Sequence, residues 1–196
     1  FLWKIEYFKN YLSKLTKYTS MMIIIFVILL VTISTAYSKE YKAVDDLDLN
    51  KYVGSWYEVY GNNFDKTFQG NGKCVQAFYK FNDFNVSVLN TQLDKNDNSD
   101  SITGFAYYKD GDTGGYLTVQ LKDLPEAPYW VIELGPVYDN MYDYSIVSDN
   151  VQLSLFVLAR NVSRFNELYL DKVLVSLDDF GFDRFYNKPI EIDQDC

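Results

Sequence analysis

The sequence predicts an all-β fold, an eight-stranded antiparallel up-and-down β-barrel with a C-terminal α-helix packed on the outside, and three observations lead there. Eighteen Tyr and fourteen Phe against four Pro and ten Gly favour strands, because aromatic rings suit a pleated, half-buried surface. Eight short apolar segments follow one another at near-even spacing, the pattern of a sandwich or barrel. The turns between them, such as Asn82-Asp83, the polar run 94–99 and the glycine-rich run 110–115, are short enough to pair neighbours as hairpins.

Taken in order, the run Asp45-Asp-Leu-Asp-Leu-Asn50 makes a short helical turn ahead of the first strand. The strands are then expected at 54–60, 73–82, 86–93, 101–108, 116–121, 129–134, 142–147 and 152–159. Alternation is cleanest in the second, where Val75, Ala77, Tyr79 and Phe81 share the inward face and Gln76, Phe78 and Lys80 the outward one. In the fifth, Leu117, Val119 and Leu121 point inward and Thr118 and Gln120 outward. One helix closes the chain: Leu168, Val173, Leu174, Leu177 and Phe180 recur at helical spacing, and Gly181 stands where a C-cap belongs.

Ahead of the domain, residues 22–33 form an apolar run followed by Ala36-Tyr37-Ser38. A membrane span needs about 20 apolar residues, so the stretch 21–38 reads as a signal peptide and 39–196 as the mature domain. Residues 1–20 precede the first methionines, Met21 and Met22, and read as an upstream extension that need not be translated; if translated, Lys4, Lys9, Lys14 and Lys17 supply a basic leader.

The mature segment carries fourteen basic and twenty-six acidic side chains, a net −12 that makes nucleic acid a poor partner. The chain contains no histidine, which removes the commonest general base near neutral pH and the commonest zinc ligand. Its two cysteines, Cys74 and Cys196, read as a disulfide in an oxidising compartment, and a loop of about 100 residues gains roughly 4.7 kcal/mol in the chain-entropy model. Asn85-Val-Ser and Asn161-Val-Ser match the short glycosylation acceptor pattern, for which chance is an equal explanation.

Three blocks in order carry a family resemblance. Gly54-Ser-Trp56 opens the first strand, Tyr142-Asp-Tyr144 precedes the seventh, and Phe156-Val-Leu-Ala-Arg160-Asn161 ends the eighth. Together they resemble the lipocalins. Gly72-Lys-Cys-Val-Gln-Ala77, Val88-Leu-Asn90, Ala127-Pro-Tyr-Trp130 and Asp195-Cys196 extend the likeness to the apolipoprotein D-like members, over residues 44–196. The resemblance implies a carrier with no catalysis and no cofactor, and it agrees with a Cys74–Cys196 bridge. It departs in two places: a second disulfide of those members is absent, so the N-terminal segment is expected to be looser, and 138–142 differs from the family block, which leaves ligand choice open.

Trp56 and Arg160 read as a guanidinium stacked on an indole at the barrel floor, worth about 1 kcal/mol or more when desolvated, and Gly54 as a close backbone approach. These three are structural residues. Tyr79 and Phe156 align with pocket-lining positions of the relatives, and alternation adds Val75, Ala77, Leu117, Val119 and Leu158 as ligand-binding candidates. A ligand burying about 400 Å² gains roughly 10 kcal/mol, and binding costs of at least about 4 kcal/mol leave an affinity in the micromolar range or weaker. With Tyr79 as the best inward donor, a fatty acid is not preferred over a sterol, retinoid or pigment. Three alternatives stay open: lipid isomerisation by a free Cys74 thiol, antioxidant protection through Met141, and a membrane or protein contact through open-end loops bearing Phe64, Phe68 and Tyr138.

Overall fold

A computed structural model describes residues 16–19, 21–22, 40–64, 72–82 and 84–196. The chain divides into two units, Phe1–Lys39 and Glu40–Cys196. In the first, the described residues are helical; the rest of the expected signal peptide, with Lys4, Lys9 and Lys14, lies outside the described residues.

The second unit is the barrel. Helix α1 (Leu49–Tyr52) is the expected helical turn, and Asp48 caps it by accepting from the Asn50 N–H at 3.0 Å. The wall consists of β1 (Gly54–Gly61), β2 (Lys73–Asn82), β3 (Asn85–Leu93), β4 (Ser99–Tyr107), β5 (Tyr116–Leu121), β6 (Ala127–Leu134), β9 (Tyr144–Ser148) and β10 (Leu155–Ala159). All neighbours pair antiparallel, and β10 returns to pair with β1 through Tyr57 and Ala159, which closes the barrel. Closure removes the sheet edges that would otherwise offer unpaired N–H and C=O groups.

Besides shifts of one or two residues at other strand ends, three features depart from the sequence reading. Between β6 and β9 the chain makes an extra hairpin of β7 (Val137–Tyr138) and β8 (Met141–Tyr142), so Tyr142 pairs with Val137 rather than joining the barrel. Strand β10 begins at Leu155 because Asp149 gathers the preceding residues into a turn. Its carboxylate accepts from the N–H groups of Val151 (2.7 Å), Leu153 (3.1 Å) and Ser154 (2.8 Å) and from the Ser154 hydroxyl (2.9 Å). Finally, β11 (Ile190–Glu191) pairs with Tyr60 and Gly61 of β1.

The outer core lies where helices α2 (Val162–Leu168) and α3 (Leu170–Asp179) cover β9 and β10. Phe165, Val173, Leu177, Phe180 and Phe182 pack there against Tyr144, Ile146, Leu155 and Val157. Those two strands are therefore buried on both faces, which explains the unbroken apolar run Leu155-Phe-Val-Leu-Ala159. The expected helix stripe is correct at Val173, Leu177 and Phe180 but not at Leu168 and Leu174, which are exposed. Leu168 ends a separate first helix, whose start is marked by Asn161 accepting from the Arg164 N–H at 2.8 Å. Gly181 caps α3 as expected, with φ +83° and the Phe182 N–H bonded to the Leu177 carbonyl at 2.9 Å.

Two inward assignments also change. Phe81 shares the alternation of Val75, Ala77 and Tyr79 but sits at the end of β2 beyond the packed interior, and is 45% exposed. Thr118, expected on the wet face, is buried between its cross-strand neighbours Tyr107 and Pro128. The N-terminal segment is held without a second disulfide: Ala43 is fully buried, and Val44 bonds through its N–H to the Val131 carbonyl and through its carbonyl to the Gly115 N–H, each at 2.8 Å.

Candidate functional site

The lower interior is packed by Tyr52, Trp56, Val86, Val88, Ala106, Leu117, Val131 and Val147. At its base, Arg160 lies over the Trp56 ring at 3.5 Å. Its guanidinium donates to the carbonyls of Tyr52 (2.9 Å), Val53 (2.8 Å), Lys51 (3.1 Å) and Ser55 (2.7 Å), and its Nε to that of Tyr142 (3.2 Å). The carbonyls of Lys51, Tyr52, Val53 and Ser55 are those at the end of α1 and the entry to β1, where the chain itself supplies few donors. The Trp56 indole N–H also donates to the Tyr52 carbonyl at 2.8 Å. Gly54 has φ +99°, and a Cβ there would stand 3.2 Å from Arg160 Nη1. Burial lowers the Arg160 pKa to about 10, which leaves it charged at neutral pH. Gly54, Trp56 and Arg160 thus meet at the closed end.

Above that base a cavity of about 430 Å³ opens toward the β1–β2, β5–β6 and β9–β10 connections. Of the seven residues expected to touch ligand, Val75, Ala77, Tyr79, Val119, Phe156 and Leu158 line it. Leu117 does not. It lies two residues nearer the closed end on β5 and faces a smaller pocket with Val86 and Ala106. Phe64, Leu124, Pro125, Val151 and Leu153 come from the open-end connections.

The interior also carries polar groups that the sequence pattern does not single out. Tyr52, Tyr79 and Tyr129 form a hydroxyl cluster: Tyr52 and Tyr129 oxygens are 2.8 Å apart, Tyr129 donates to Tyr79 at 3.1 Å, and the Ser145 hydroxyl is 3.2 Å from Tyr52. Desolvation pushes the Tyr52 phenol up to about 12 and those of Tyr79 and Tyr129 well above their usual range. Glu58 is 4% exposed and lines the cavity, as does Asn90, whose buried Oδ1 has no hydrogen-bond partner among the described residues. Both follow from alternation, Glu58 two residues beyond inward Trp56 and Asn90 two beyond inward Val88. A charge and an amide do not announce themselves as barrel interior.

Cys74 and Cys196 are bonded, with Cα atoms 6.3 Å apart, so both cysteines of the chain are consumed and a free Cys74 nucleophile is absent. The bridge brings the C-terminal tail to the open end of β1 and β2. There the Cys74 N–H donates to the Asp193 carbonyl at 2.7 Å, and Gln194 Nε2 donates to the carbonyls of Glu58 (2.8 Å) and Val75 (3.0 Å). The tail thereby completes the wall where the β1–β2 pairing stops at Tyr57 and Gln76.

The remaining candidates scatter. Met141 sits under Gly54 at the closed end, away from the cavity. Phe64 is at the open end, but Tyr138 lies in the β7–β8 hairpin at the other, with the Arg164 guanidinium 4.1 Å above its ring, so the two cannot form one contact surface; Phe68 lies outside the described residues. Asn85 opens β3 at the β2–β3 hairpin, and Asn161 is exposed. Among the described residues no helix is long and apolar enough to cross a membrane.

Comparison with known proteins agrees with the geometry. The family model of the lipocalin-like domain matches residues 47–185. The outer membrane lipoprotein Blc of Vibrio cholerae is 33% identical over 144 residues, 72% of this chain and 81% of that protein. Apolipoprotein D of Cavia porcellus is 32% identical over 143 residues, 67% and 71% of the two chains. Among solved structures, insecticyanin of Manduca sexta superimposes with a TM-score of 0.57 at 18% identity over 80% of this chain and 86% of that one. Lobster apocrustacyanin gives 0.57 at 19% identity, over 75% and 79%. At such identities the structures speak to fold alone.

Proposed function

The chain belongs to the lipocalin family, whose barrels bind small hydrophobic molecules, and we propose that it carries one such molecule outside the cell in its 430 Å³ cavity. The observation that carries this reading is an interior closed at one end by Trp56 and Arg160 and open at the other, with mainly apolar walls. A volume within the range of about 300–1,000 Å³ suits a small lipid, sterol, retinoid or pigment. Val75, Ala77, Val119, Phe156 and Leu158 supply the apolar contact, and Tyr79 the hydroxyl. The leader-like stretch 21–38 and the disulfide support secretion, with Asn85 and Asn161 as glycan acceptors. With both thiols in the bridge and Met141 away from the cavity, cargo passes through chemically unchanged.

The test is titration of the purified domain with Nile red, a neutral dye that brightens in apolar surroundings, followed by competition with a sterol and a retinoid. One dye per protein is expected, with binding lost in Ala77→Trp, whose indole occupies the cavity. Undiminished dye binding by a folded Ala77→Trp protein overturns the interior site.

A further inference from the structure

We propose that the C-terminal tail is a side gate of the cavity, an inference that rests on the carrier reading above. The Cys74–Cys196 bridge holds the gate closed, and reduction by a small dithiol frees the tail and speeds ligand exchange through the seam between β1 and β2. The β1–β2 ladder ends at Tyr57 and Gln76. At that point Glu58, Val75 and Gln76 line the cavity, and Gln76 is also exposed, so the interior comes close to solvent at the seam. The tail bridges it. The Ile192 N–H donates to the Val59 carbonyl at 3.0 Å, the Asp193 carbonyl accepts from the Cys74 N–H at 2.7 Å, and Gln194 Nε2 donates to the carbonyls of both Glu58 (2.8 Å) and Val75 (3.0 Å). The register of β2 against β3 shifts between Lys73 and Gln76, and Cys74 has φ +56°, so this end of β2 turns from β3 toward the tail.

Apolar burial does little to hold the tail. Among the described residues neither apolar core includes any of 190–196; Asp193, Asp195 and Cys196 are exposed, and Ile192 and Gln194 are half-buried. Lys73 attracts Asp193 and Asp195, but its ammonium is already paired with Asp97 at 2.7 Å. A few hydrogen bonds without burial do not offset the entropy of ordering such a segment, whereas a covalent link keeps the segment beside its seat. The bridge is reachable from one side, since Cys74 is 7% exposed and Cys196 is exposed. One thiolate of the dithiol attacks Cys196 Sγ, and the S–S bond breaks with its electron pair on Cys74 Sγ. The second thiol then resolves the mixed disulfide. The dithiol is oxidised to a cyclic disulfide, and its two protons end on Cys74 and Cys196.

Transfer of Nile red from the loaded protein to excess phosphatidylcholine vesicles, followed by stopped flow with and without dithiothreitol, tests the proposal. Reduction is expected to raise the departure rate of the dye about tenfold, the factor one net hydrogen bond is worth, with tryptophan emission unchanged. Amide exchange should quicken at Cys74 and Ile192 and stay slow in β4, β5 and β6. A departure rate unchanged in the fully reduced, folded protein overturns the inference. So does a faster departure accompanied by fast exchange throughout β4, β5 and β6, which marks loosening of the whole barrel. Should reduction unfold the protein, Gln194→Ala decides with the bridge intact: it should release dye about threefold faster, and an unchanged rate overturns the gate. Those outcomes leave the carrier reading standing, whereas failure of the dye to bind the oxidised protein overturns the carrier reading and this inference with it.

Discussion

Replacing Arg160 separates the base of the barrel from its cargo site. Arg160→Ala removes the stack on Trp56, worth about 2 kcal/mol when desolvated. It also removes donors to five carbonyls, each charge-assisted bond contributing roughly 1.5–3 kcal/mol in isolation. Three of those contacts share the two protons of Nη2, and water reaches some of the vacated carbonyls, so about two bonds' worth is lost. The sum is a destabilisation of about 5–8 kcal/mol, a large share of the 5–15 kcal/mol typical of a domain. Arg160→Lys keeps the charge but not the planar fork, and should cost about half as much. Urea denaturation followed by tryptophan emission reads both numbers by linear extrapolation. Because Arg160 does not line the cavity, Arg160→Lys should bind Nile red within about twofold of wild type. A loss of less than about 1.5 kcal/mol in Arg160→Ala would refute the structural role. So would an Arg160→Lys protein of unchanged stability whose dye affinity has collapsed.

Two further predictions concern stability. Cys196→Ser opens a loop spanning 122 positions and should cost about 4–5 kcal/mol, seen as a lower urea midpoint together with faster amide exchange at Cys74 and Ile192, whose N–H groups bond across the tail. Asp143 is 3% exposed and receives the Arg164 Nε–H at 2.8 Å, which holds its carboxyl below the usual carboxylate range. A depressed folded pKa stabilises above the unfolded value of about 4 and loses that contribution as pH falls through the folded one. Asp143→Asn should therefore destabilise by about 2–3 kcal/mol at pH 7, less than for a fully buried pair because Arg164 is partly exposed. The gap from wild type should close on acid titration; a pH-independent gap would disprove the ion pair's role.

Much of the barrel was legible because strand period and turn chemistry are local. Strands β2 and β5 fall at the expected bounds, since clean alternation runs up to unambiguous turns. Strand β10 starts three residues later than the sequence predicts because nothing in Gln152-Leu-Ser154 shows that the Asp149 carboxylate binds the N–H groups of Leu153 and Ser154. The cavity wall was legible where it is apolar and alternating, at Val75, Ala77 and Tyr79, and failed at Leu117, because alternation gives the face of a strand but not the height along a tilted barrel.

By itself the amino-acid order determined the fold class, the strand sequence, the pairing of the only two cysteines and the family motifs, because each depends on neighbours in the chain or on counting. The tertiary structure alone decided where the tail runs, that it completes the wall between β1 and β2, and that Glu58, Asn90 and the three tyrosine hydroxyls converge on one interior. Those groups come from strands β1, β2, β3 and β6 and helix α1, so no local pattern relates them. Only closure of the barrel sets a charge, an orphaned acceptor and a donor around the same space.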